Sequence, residues 1–171
     1  ISCDTATCRD LNKALGLEWL LTNGLGVYAS GSVAGANTRK YHGYLVVAAH
    51  PPVQRYVMLS RVEDRVWIDQ APHDLSTDEF PDVIHPQGYL NLINFEQGAS
   101  AIWRYQIGAA VIEKTLTLVH GEETRIARYE LVAGFELAPL RLTMQPMLAG
   151  RDFHATTQAD DRPAWQCEED A

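Results

Sequence analysis

Residues 101–147 read AIWRYQIGAAVIEKTLTLVHGEETRIARYELVAGFELAPLRLTMQPM. Apolar and polar residues alternate along this stretch. Trp103, Tyr105 and Ile107 flank Arg104 and Gln106, and Leu116 and Leu118 follow Thr115 and Thr117. Ala127, Tyr129 and Leu131 flank Arg128 and Glu130, and Leu140, Leu142 and Met144 interleave with Arg141, Thr143 and Gln145. A period of two places each set on one face of a strand. Repeated over several segments, it signals antiparallel strands with one buried face. Gly108 and the pair Gly121-Glu122 fall between the runs, where hairpin turns belong. A meander of about four strands is expected here, at a spacing that points to a sandwich.

Outward from this stretch the pattern is less regular. Asp10 to Leu15 is expected to form one short N-terminal helix, capped by Asp10 and stopped by Gly16. Glu18 to Thr22 reads as a strand, and a Gly-rich loop is expected from Asn23 to Asn37. Tyr44 to Ala48 is apolar on both faces, as a central strand is. His50-Pro51-Pro52 should end it, because Pro cannot extend a ladder. Arg55 to Ser60 and Arg61 to Ile68 read as a strand pair. Residues 69–88 carry Pro72, Pro81 and Pro86 and read as a long ordered loop. The expected fold is therefore an all-β, antiparallel β-sandwich with one short N-terminal helix. It fills a single domain over residues 1–171, in line with roughly 150 residues per domain.

Composition narrows the function classes. The 14 Lys and Arg are outnumbered by 22 Asp and Glu, for a formal charge of -8. That balance disfavours nucleic acid and anionic membrane as partners, since both reward basic patches. The three cysteines, Cys3, Cys8 and Cys167, are too few and odd in number for a disulfide framework, and reduced thiols in a cytoplasmic protein are expected. The longest apolar run, Tyr44 to Ala49, is too short to span a bilayer.

Several motifs fail on context. Residues 24–29, GLGVYA, match the Gly-x-Gly-x-x-Ala dinucleotide pattern, but Ser30-Gly31-Ser32 follow where a helix must start. Gly26 to Ser32 has Walker-like glycine spacing with Ser32 in the place of the essential lysine. Ser30 lacks the glycine two residues earlier that a nucleophile elbow needs. Cys3 and Cys8 are five apart, and no histidine pair has metal-site spacing. Neither a metal nor a cofactor is therefore expected. Glycoside hydrolysis needs two carboxylates facing each other across a bond. Glu63-Asp64, Asp78-Glu79 and Asp160-Asp161 are neighbours in sequence, so on strands they point to opposite faces; each is expected to be solvated surface charge.

Residues 23–43 are the most informative. Gly24, Gly26, Gly31, Gly35 and Gly43 accompany Thr38-Arg39-Lys40-Tyr41-His42. Glycines let backbone approach a neighbour closely. Arg, Tyr and His add a fork of donors, an aromatic face and a hydrogen-bonding ring. Those groups suit a polyhydroxylated ligand. They equally suit a domain interface, where Arg and Tyr are enriched, or plain loop structure.

The run EWLLTNGLGVYASGSVAGANTRKYHGYLVVAAHPPVQRYVMLS, residues 18–60, resembles the N-terminal domain of bacterial and archaeal glycogen debranching enzymes. The resemblance continues through HPQGYLNL (His85 to Leu92), HGEET (His120 to Thr124) and PMLAGRDFH (Pro146 to His154), and so covers nearly the whole chain. One position departs: Val27 stands where the family usually has a second glycine after Gly26. The resemblance implies a supersandwich-like β-sandwich that precedes an α/α barrel of the amylo-α-1,6-glucosidase type. The barrel would carry the catalytic carboxylates and hydrolyse α-1,6 branch points of glycogen or related α-glucans, with inversion. The acidic tail after Asp160 shows no closing strand, and the chain is expected to be a fragment of such an enzyme without its catalytic pair.

The implied partners are the catalytic barrel of the same polypeptide and a branched α-glucan. For contact with either, the candidates are Asn23, Arg39, Tyr41 and His42, followed by Arg151, Asp152 and His154. Arg39 would donate to sugar hydroxyls, Tyr41 would stack on a ring, and Asp152 would accept. A structural alternative for Arg151-Asp152 is an ion pair that holds a turn or the barrel interface. Two further readings stay open: a free-standing glucan-binding module and a purely structural domain. The module reading is disfavoured because Trp19, Trp67, Trp103 and Trp165 are spread out and form no evident platform.

Overall fold

The computed structural model describes residues 1–50, 54–134, 136 and 139–156. Its elements in chain order are β1 (Ser2–Cys3), α1 (Thr5–Arg9), α2 (Leu11–Gly16), β2 (Glu18–Thr22), β3 (Tyr28–Ser32), β4 (Gly43–His50), β5 (Gln54–Ile68), β6 (Ala71–Asp74), β7 (Thr77–Phe80) and β8 (Val83–Gln87). A short 3-10 turn (Gly88–Asn91) leads to β9 (Leu92–Gln97), β10 (Ala101–Ile107), β11 (Ala110–Leu118), β12 (Arg125–Ala133) and β13 (Arg141–Asp152).

Two antiparallel sheets face each other. One has the order β1-β9-β10-β11-β12; the other runs β13-β5-β4-β3-β2, with β6 pairing to β5. Their inner faces share one core. Trp19, Ala29, Tyr44, Val62 and Val66 come from one sheet, and Phe95, Trp103, Tyr105, Ile112 and Leu116 from the other. Trp19 and Trp103 meet edge to face at 5.2 Å between ring centroids. Each indole N–H needs a partner once buried. Trp19 donates to the Ser32 carbonyl and Trp103 to the Val33 carbonyl, each at 3.0 Å. The all-β sandwich expected from the alternating stretch is the observed fold.

The hairpins β10–β11 and β11–β12 form where Gly108 and Gly121 turn the chain. The fourth strand of the expected meander behaves differently. β13 crosses to the other sheet and pairs with β5, Leu142 opposite Val66. Alternation reports which side chains face inward, and β13 satisfies it equally well in either sheet.

Four expectations need correction. First, the described residues form two short helices, not one. Asp10 caps α2 as expected, accepting from Lys13 N at 3.2 Å. The Thr-rich α1 has weak intrinsic propensity. It is held by its Asp4 cap and by Thr5 and Arg9, which donate to β9 carbonyls. Second, residues 23–37 are not all loop: β3 lies within them, and its Gly31 leaves room for the Trp19 ring, 3.3 Å from where a Cβ would stand. Third, residues 54–68 are one strand. Inward positions switch from odd (Val57) to even (Val62, Val66) across a bulge, which imitates a turn in the sequence pattern. Fourth, residues 69–88 contain β6 and the hairpin β7–β8. Pro72 lies on an edge strand, Pro81 in the turn, and Pro86 in a two-stranded hairpin, all places where a missing N–H is tolerated. Tyr44 to Ala48 is central, with β3 and β5 on its two sides. Pro51 and Pro52, which were to end that strand, lie outside the described residues, as do Asp160-Asp161, Trp165 and Cys167.

Two acids expected at the surface are buried instead. Asp64 is 1% exposed and Asp78 is 4% exposed. Asp64 points into the sandwich, where Lys114 Nζ lies 2.7 Å away and the Tyr129 hydroxyl donates at 2.9 Å. Burial alone lowers the Lys114 pKa, but Asp64 and the neighbouring tyrosines hold it well above the ordinary lysine value. Asp78 sits 2.7 Å from Arg61 Nε. Strand alternation is obeyed, with Glu63 and Glu79 facing outward, but each buried acid finds a basic partner, Asp64 the core Lys114 and Asp78 the partly exposed Arg61.

Candidate functional site

The Gly-rich segment folds around Asn23. Its Oδ1 accepts from Leu25 N at 2.8 Å and Val27 N at 3.1 Å, which closes the tight turn after β2. Its Nδ2 donates to the Glu122 carbonyl at 2.7 Å, and its own carbonyl accepts from Gly121 N at 2.9 Å. Asn23 thus ties this turn to the β11–β12 turn. Gly24 and Gly26 take φ of +84° and +88°, which L side chains rarely adopt. A Cβ on Gly24 would lie 2.7 Å from the His120 ring, so the glycine also makes room for that side chain. Val27 has ordinary backbone and is buried; the left-handed positions fall on the glycines beside it.

The turn borders an open groove of about 500 Å³, with Leu20, Thr22, Tyr28, Tyr41 and Arg55 around the two glycines. Tyr41, 40% exposed, brings an aromatic face to it. The ring packs against Phe153 at 5.2 Å and His154 at 6.0 Å. Residues 38–42 and 151–154 are more than 100 positions apart, yet several bonds bind them together. Arg151 donates to the Lys40 carbonyl at 2.7 Å, and Lys40 Nζ donates to the His154 carbonyl at 3.1 Å. Tyr28 Oη donates to the Tyr41 carbonyl at 2.8 Å. β13 brings the second segment here because its last residues pair with the start of β5, Asp152 opposite Tyr56.

The electrostatics divide the cluster in two. Arg39 pairs with Glu18 through Nε, at an exposed position. His42 is buried; its Nδ1 accepts from Thr38 N at 3.2 Å, so the ring proton sits on Nε2, 3.7 Å from the same Glu18 oxygen. Burial lowers the His42 pKa and outweighs the pull of Glu18, so the ring is neutral near pH 7. On the other side, Asp152 accepts from His154 N at 2.8 Å and lies 3.1 Å from His154 Nδ1, and the backbone bond from His154 lowers its pKa. Arg151 does not reach the Asp152 carboxylate. It holds the turn through carbonyls instead, donating to Ala155 O at 2.8 Å.

Of the seven candidates, Tyr41, Arg151, Asp152 and His154 form one cluster, of which Tyr41 lines the groove. Arg39 and His42 meet on Glu18 beside it. Asn23 lies wholly buried under the groove's turn and shapes it without reaching outward. Tyr28, Arg55 and Phe153 were missed. Tyr28 and Arg55 stood inside the quoted run 18–60 and Phe153 inside PMLAGRDFH, but that Arg55 reaches the groove comes from the pairing of β4 with β5. The groove is lined by no carboxylate among the described residues, so it offers recognition and no acid–base pair. Among the described residues, no group of three His, Cys, Asp or Glu side chains is placed to hold a metal ion. Trp67 is stacked by Arg141 at 4.4 Å, while Trp19 and Trp103 are core, so these three form no platform.

No helix among the described residues is long and apolar enough to cross a membrane. No curated protein and no solved structure matches the chain. A protein-family model does match, over residues 17–171: glycogen debranching enzyme N terminal.

Proposed function

The chain belongs to the glycogen debranching enzyme N-terminal family, and from that premise we propose that it is the accessory domain of an enzyme hydrolysing α-1,6 branch points of α-glucans. Its role is to pack against a catalytic α/α barrel of the same polypeptide and to form one wall of the substrate cleft with the groove at Tyr41. The observation that carries this reading is the convergence of residues 38–42 and 151–154 on an exposed aromatic cluster beside an open groove. Aromatic faces and neutral hydrogen-bonding groups recognise sugar rings, and Arg with Tyr recurs at protein interfaces. The acid and base that inversion requires would come from the barrel. A cytoplasmic location goes with this role and with the free, buried Cys3 and Cys8.

Calorimetric titration with a branched limit dextrin, with free glucose assayed in the same sample, tests the reading. Saturable binding, weakened by Tyr41→Ala and accompanied by no glucose release, is the expected result. Glucose release abolished by a single carboxylate substitution would place the chemistry in this chain and overturn it.

A further inference from the structure

A second concavity lies on the outer face of the β5 sheet, where the hairpin β7–β8 overhangs β5 and β13. It is a cleft of about 460 Å³, within the ~300–1,000 Å³ range of small-ligand sites. It shares no lining residue with the Tyr41 groove. From Arg55 to Glu63, the strand between them rises roughly 25 Å.

The cleft is built rigidly. Leu75 N and Ser76 N donate to the Asp64 carbonyl at 3.0 and 3.3 Å, and Gly88 N donates to the Ser76 carbonyl at 2.8 Å. Asn91 Nδ2 donates to the Asp74 carbonyl at 3.0 Å. These bonds fix the hairpin over the sheet, so little ordering remains to be done on binding. Its chemistry is that of a neutral, hydroxyl-rich ligand. Arg65 and Asp74 pair at 2.6 Å and present a donor and an acceptor side by side. The His85 ring and the Gln145 amide line the cleft with no hydrogen-bond partner among the described residues, and Phe80 beside them is 47% exposed. Asp64 also borders it, but turns its carboxylate inward to Lys114 and Tyr129 and is almost wholly buried. Carboxylates outnumber the one guanidinium, which disfavours phosphate.

We propose that this cleft is a second carbohydrate site, which holds a linear α-glucan segment away from the Tyr41 groove. The substrate class rests on the debranching reading above. Phe80 stacks on a sugar ring, while Gln145, His85 and the Arg65–Asp74 pair bind its hydroxyls. A second hold on one polymer raises overall affinity without new contacts at the first.

Amide chemical-shift mapping of the whole chain with maltoheptaose is the test, alongside Phe80→Ala and Gln145→Ala, both exposed positions whose folding the same spectra verify. Saturable shifts at residues 63–65, 74–76, 80, 85 and 143–145 are expected. Phe80→Ala should weaken them about tenfold, while Tyr41→Ala leaves them unchanged. Shifts confined to residues 22–28, 41 and 55 would overturn the second site and leave the groove reading standing. Shifts at the cleft alone would support the site and count against the groove. No shifts at either place, or equal affinity for a β-linked glucan, would overturn the proposal.

Discussion

The two ion pairs Lys114–Asp64 and Arg39–Glu18 join the same kinds of groups in opposite surroundings. The first sits inside the sandwich with side-chain exposures of 2% and 0%. The second lies at the groove's edge with exposures of 65% and 37%. In the core, water cannot replace a lost partner, and the survivor becomes an uncompensated charge. At the edge, water replaces it at once. The interior pair joins the two sheets and is committed to the fold. The edge pair is exposed, and the fold does not depend on it in the same way.

Lys114→Met removes the cation from the interior pair and leaves the edge pair intact. It should destabilise the chain by about 3–5 kcal/mol, because Asp64 stays buried without its cation. Urea unfolding measures this, and a loss under about 1 kcal/mol would mean the pair is no more demanding than a surface one. Lys114→Met combined with Asp64→Leu should recover much of the loss.

Asp78 offers a pH-dependent version of the same contrast. Burial pushes its pKa to about 6 from the ordinary 3.8, although Arg61 lies 2.7 Å away. The folded chain therefore keeps a proton that the unfolded chain releases between those values. Its contribution to stability is present below about pH 4 and is lost as pH rises to about 6, by up to about 3 kcal/mol. Asp78→Asn should flatten the stability profile across that window, and an unchanged slope would contradict the shift.

Asn23→Ala should cost about 2 kcal/mol through the three hydrogen bonds its side chain makes. The same change should raise amide exchange in both turns that Asn23 joins. Glu18→Gln marks the small end of the scale. Thermal or urea unfolding should register less than about 1 kcal/mol, and a larger loss would mean that Arg39 and His42 depend on Glu18 for more than an exposed pair supplies.

Much of the fold was legible because residues 101–133 repeat one signal: period-two alternation broken by turn residues. β3 was hidden because its small residues look like loop, while Gly31 serves as the seat for Trp19. The hairpin β7–β8 was hidden because prolines argue against central strands and say nothing about edges. The site was half legible. Its two segments stood out as motifs, but their meeting depends on β13 joining the β5 sheet, which alternation does not encode. Asp64 and Asp78 were misplaced for a related reason: an acid goes inside only when a distant base is waiting, and Lys114 is 50 positions from Asp64.

The most direct test of the central claim is amide hydrogen exchange in this chain, alone and then mixed with a separately produced α/α barrel of a glycogen debranching enzyme. A barrel that packs on the Tyr41 edge predicts slower exchange at residues 24–28, 38–42 and 151–154 in the mixture. Association that protects other surfaces and leaves those three segments unchanged would contradict it.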